Sequence, residues 1–76
     1  MFVTDKIISE VADGMLNNFE SGSLHSRSSI REIASHAKEE LADRGLPTRK
    51  SLCFVVAKVA LMAWQEEIHA TKVQLA

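Results

Sequence analysis

Residues 52–64 read L-C-F-V-V-A-K-V-A-L-M-A-W, twelve apolar residues in thirteen, interrupted only by Lys58. The run is too short for a membrane span, which needs about 20 apolar residues, and Lys58 breaks it. Cys53–Val56 is rich in β-branched and aromatic residues, so a strand is one reading of that stretch. Length decides for a helix, because no breaker follows Thr48. The spacing predicts a helix over about 49–72, roughly 36 Å long at 1.5 Å per residue.

A helix this apolar must be covered on nearly every side. Ser51, Lys58, Gln65 and Lys72 recur every seven residues and leave a narrow polar line. Val56, Val59, Ala60 and Ala63 lie opposite that line. Two short amphipathic helices are not expected to hide the remainder, and large contiguous apolar patches are rare on monomers. The expectation is therefore a homodimer, intertwined or face to face, packed through the third helix at Leu52, Val56, Val59, Ala60 and Ala63.

Upstream, two turn clusters separate two further helical segments: S-G-S-L-H-S-R at 21–27 and R-G-L-P-T at 44–48. The first helix is predicted over about 5–20. Thr4 is its N-cap, and Asp5 sits where the helix dipole favours negative charge. Ile7, Ile8, Val11, Ala12, Met15, Leu16 and Phe19 share one face, and Gly22 ends it. The second helix is predicted over about 30–44. Ser29 and Glu32 have capping-box spacing. Ile30, Ile33, Ala34, Ala37 and Leu41 make its apolar stripe. Gly45, Leu46 and Pro47 suit a Schellman ending followed by a stop. The fold expected is all-α: one domain over 1–76, built as helix–loop–helix–loop–long helix.

The 76 residues form at most one domain, and a core of that size is marginal. At 46% hydrophobic the chain is too apolar to be disordered. Nine basic and ten acidic residues leave a net charge of −1, which gives no overall pull toward nucleic acid or anionic lipid. That charge is uneven: residues 1–20 carry −3 and residues 21–50 carry +2. One cysteine excludes an intrachain disulfide and suits a reducing compartment. MFVTDKII lacks the basic region and long apolar stretch of a secretory signal, so a cytoplasmic location is expected.

No chemical constellation stands out. Motifs such as H-E-x-x-H, G-x-S-x-G, a phosphate-binding glycine loop or paired cysteines are missing from the sequence. His36 has Glu32 and Glu40 one turn away, a spacing shared by half-sites and by solvated helix faces. Cys53 reads as a small buried hydrophobe, although Arg49 and Lys50 are near in sequence. Neither an enzyme nor a cofactor is expected. Candidate contacts for a partner or an anion are the basic residues Arg27, Arg31, Arg44, Arg49 and Lys50, with Met62, Trp64 and Phe54 as large apolar anchors.

Two functions follow as expectations. The first is a non-enzymatic protein-interaction module, a small regulator or inhibitor docking on a larger protein in the manner of antirepressors and host-factor inhibitors. The second is a helix-turn-helix DNA binder whose recognition helix would begin at Thr48, Arg49, Lys50 and Ser51. The apolar run from Leu52 leaves that helix a single polar turn and Lys58 for base edges, which favours the first.

Overall fold

A computed structural model describes the backbone of residues 3–75 and the side chains of residues 3–67. Three helices appear in order: α1 (Asp5–Glu20), α2 (Ile30–Asp43) and α3 (Lys50–Leu75). No strand occurs among the described residues, so the β reading of Cys53–Val56 gives way to helix.

The helix ends follow local chemistry. The Thr4 hydroxyl accepts from the Ile7 N–H at 3.3 Å, and the Ser29 hydroxyl accepts from the Glu32 N–H at 3.2 Å. Each satisfies one of the donors a helix start leaves free. The reciprocal bond of a capping box, from Ser29 N–H to the Glu32 side chain, is not formed among the described residues. α2 ends as a Schellman motif. Leu46 N–H donates to Leu41 O at 2.9 Å and Gly45 N–H to Ala42 O at 3.0 Å, with Gly45 at φ 71°. Arg44 is the cap, one residue beyond α2, rather than its last residue.

The core draws on all three helices and one loop. Val11, Ala12, Met15 and Phe19 come from α1; Ile33, Ala34, Ala37 and Leu41 from α2; Cys53, Val56, Ala57 and Ala60 from α3. Leu24, in the first turn cluster, is fully buried as well, and its N–H donates to Asn18 O at 2.9 Å. Phe19 and Trp64 stack at 5.4 Å between ring centroids, fastening the end of α1 to α3.

Within the single chain, the α3 residues expected at a seam between copies are divided between the core and its edge. Cys53, Val56, Ala57 and Ala60 form one i, i+3, i+4, i+7 stripe that α1 and α2 cover. Val56 and Ala60 have no exposed surface in a single chain. Leu52, Val59 and Ala63 are half-buried. Leu52, Phe54, Val59, Leu61 and Trp64 pack on the edge of the core. Among the described residues, the large apolar side chains left exposed are Val55 at 45% and Met62 at 60%. Small side chains in the buried stripe let two short helices reach around more of α3 than the apolar count suggested.

Gly14 lies where α1 meets the ion pair Arg44 Nε–Glu40 Oε1, 3.0 Å long. A methyl at Gly14 would stand 2.6 Å from Arg44 Nη2 and 2.7 Å from Glu40 Oε1, both flexible ends. Gly14→Ala gains about 1 kcal/mol of helix propensity. It displaces a partly exposed pair worth about 0–1 kcal/mol. Urea unfolding is expected to show stability unchanged or raised by up to about 1 kcal/mol. A loss beyond about 2 kcal/mol would mean that backbone approach, not the movable pair, demands the glycine.

Candidate functional site: a cationic groove between two helices

Arg31, Ser35 and Lys38 stand at i, i+4 and i+7 on one flank of α2, which places them on a common face. Across from them lie Thr48 in the turn and Lys50, Cys53 and Phe54 at the start of α3. Together with Ala34 these residues line a groove of about 350 Å³. Arg31 and Lys38 are separated by about 10.5 Å along α2.

The groove has a charged rim and an apolar floor. Arg31, Lys38 and Lys50 are exposed, while Ala34 and Cys53 are buried and Phe54 is half-buried. No carboxylate lines it. None of the three cations pairs with a described residue; the pair at hand, Arg44–Glu40, uses a different flank of α2. Cys53 Sγ donates to Thr48 O at 3.6 Å, so the thiol packs at the base of the groove and helps hold the turn. That burial fits the small-hydrophobe reading, not a reactive thiol.

The residues singled out in the sequence are distributed unevenly. Arg31 and Lys50 share the groove. Arg27 and Arg49 are exposed but line no part of it, and Arg44 is engaged by Glu40. Trp64, expected as an anchor for a partner, is half-buried and stacks on Phe19 within the chain. Met62 is open to solvent beside Val55 on the outer face of α3. His36 is half-buried, and its neighbour Glu40 is bonded to Arg44. Among the described residues no three of His, Cys, Asp and Glu are placed to hold a metal ion. No described helix is long and apolar enough to cross a membrane.

Ser35 and Lys38 went unmarked in the sequence, whereas Phe54, expected as an apolar anchor, lines the groove. The signal for Lys38 was available, because its seven-residue spacing from Arg31 puts both on one α2 flank. Ser35 carried no such signal, since a serine on a helix flank looks like any solvated position. No protein-family model, no curated protein and no solved structure matches the chain.

Proposed function

We propose that the protein is a small non-enzymatic interaction module, a regulator or inhibitor that docks on a larger protein through the α2–α3 groove. The observation that carries this reading is the pairing of a three-cation rim with an apolar floor and no lining carboxylate. Such a surface suits an acidic amphipathic helix: carboxylates meet Arg31, Lys38 and Lys50, and an apolar side chain rests on Phe54 and Ala34. A cytoplasmic setting belongs to the proposal, as it keeps the lone cysteine reduced. So does association of two copies, on a surface other than the buried stripe of α3.

A helix-turn-helix reading draws on the order of α2, turn and α3, and on the exposed Thr48, Arg49, Lys50 and Ser51. The outer face of α3 argues against it. Val55 and Met62 stand there, where base-reading side chains need donors and acceptors. The −3 charge on residues 1–20 adds repulsion from phosphate.

The test is a titration of a labelled acidic amphipathic peptide helix, followed by fluorescence anisotropy, beside a gel shift with duplex DNA at low salt. Peptide binding is expected, weakening as salt screens the rim. Arg31→Glu with Lys38→Glu should weaken it at least about tenfold, since like charges would then face each other. DNA should not be retarded. Tight DNA binding with a steep salt dependence, lost in Arg49→Ala with Lys50→Ala, would replace this reading with the second.

A further inference from the structure

The chain carries a second charged face that matches the groove. Glu10, Asp13, Asn17 and Glu20 occupy i, i+3, i+7 and i+10 of α1, and all four are exposed. Asp13 and Glu20 are seven residues apart, as are Arg31 and Lys38. Both pairs therefore span about 10.5 Å along a helix. None of Glu10, Asp13, Glu20, Arg31 and Lys38 pairs with a described residue of its own chain. One charge pair in the groove and one in the acidic stripe thus share a spacing, are opposite in sign and have no ion-pair partner among the described residues.

We infer that two copies form a twofold dimer in which the acidic stripe of each α1 sits in the α2–α3 groove of the other. The two contacts are reciprocal, so the assembly closes at two and does not grow into a fibre. A standard interface takes about 800 Å² from each partner, a minor share of the 5252 Å² that one chain exposes. The groove is the one proposed for docking, and the inference rests on that reading: the second copy holds the groove until a better acidic partner displaces it.

Charge exchange tests the dimer directly. Asp13→Lys with Glu20→Lys makes one variant, and Arg31→Glu with Lys38→Glu makes another. All four sites are exposed, and circular dichroism checks that both variants keep their helices. Sedimentation equilibrium at low salt should give about twice the 8.4 kDa chain mass for the unaltered protein. Its dissociation constant should rise at least about tenfold at high salt. Each variant alone should be monomeric, because both of its contacts set like charges together. Mixed one to one, the variants should form a heterodimer, since opposite charges then meet at both contacts, one with the original polarity and one with it reversed.

An unaltered chain that stays monomeric at about 100 µM in low salt overturns the dimer, and the peptide titration alone then decides the docking reading. Variants that remain dimeric on their own overturn it too, and place the interface elsewhere, with the Val55–Met62 face next in line. A mixture that stays monomeric contradicts the reciprocal pairing.

Discussion

Ala60→Glu is expected to leave the chain unfolded without denaturant. Ala60 has no exposed surface and lies in the stripe of α3 that α1 and α2 cover. No buried polar or charged side chain exists among the described residues to receive a carboxylate. An unpaired buried charge costs several kcal/mol even after relaxation and water entry. A core of this size rarely supplies more than about 3–5 kcal/mol. Val56→Asp should act alike. Far-UV circular dichroism should report loss of helix, and sedimentation an expanded single chain. The loss should appear at any protein concentration, because the site belongs to one chain's core and not to a seam between copies. Native helix content and unchanged melting in both variants would show that the stripe is misplaced.

Leu24→Ala is the second large effect. Leu24 sits in a segment whose glycine and serines mark it as a turn, yet it is wholly buried. Its N–H is bonded to Asn18 O, which ties the loop to the end of α1. Truncating a fully buried leucine costs about 2–5 kcal/mol, according to how far the site can collapse. In a domain of this size that lowers Tm by roughly 10 °C or more. Ser23→Ala, one residue away and exposed, should leave Tm within a few degrees. A Leu24→Ala melt within about 1 kcal/mol of the original would mean the loop packs loosely on the core.

The contrast between these residues shows what the sequence makes legible. Caps are local chemistry, so Thr4, Ser29 and the Gly45–Leu46 ending could be read from neighbours alone. Helix order and the stripes of α1 and α2 followed from periodicity for the same reason. Leu24 could not be read that way, because its burial depends on where two helix ends meet. The apolar run of α3 misled in a related manner. Its composition gave the amount of apolar surface but not how closely alanines at 57 and 60 would let the other helices approach. The expectation of a seam at Val56 and Ala60 treats every apolar position as needing full cover, whereas Leu52, Phe54, Val59 and Leu61 are half-buried in the single chain. The groove was half legible. Arg31 and Lys50 stood out by charge, but their meeting across two helices is tertiary, and Lys38 gained significance only through that meeting.

The central claim is that the α2–α3 groove is the recognition surface. Backbone amide chemical shifts followed during titration with the acidic amphipathic peptide test it most directly. The expected result is a set of shift changes confined to Arg31–Lys38 and Thr48–Phe54, lost in Arg31→Glu with Lys38→Glu while the remaining spectrum stays native. Changes centred on Val55 and Met62, or no change at millimolar peptide, would contradict it.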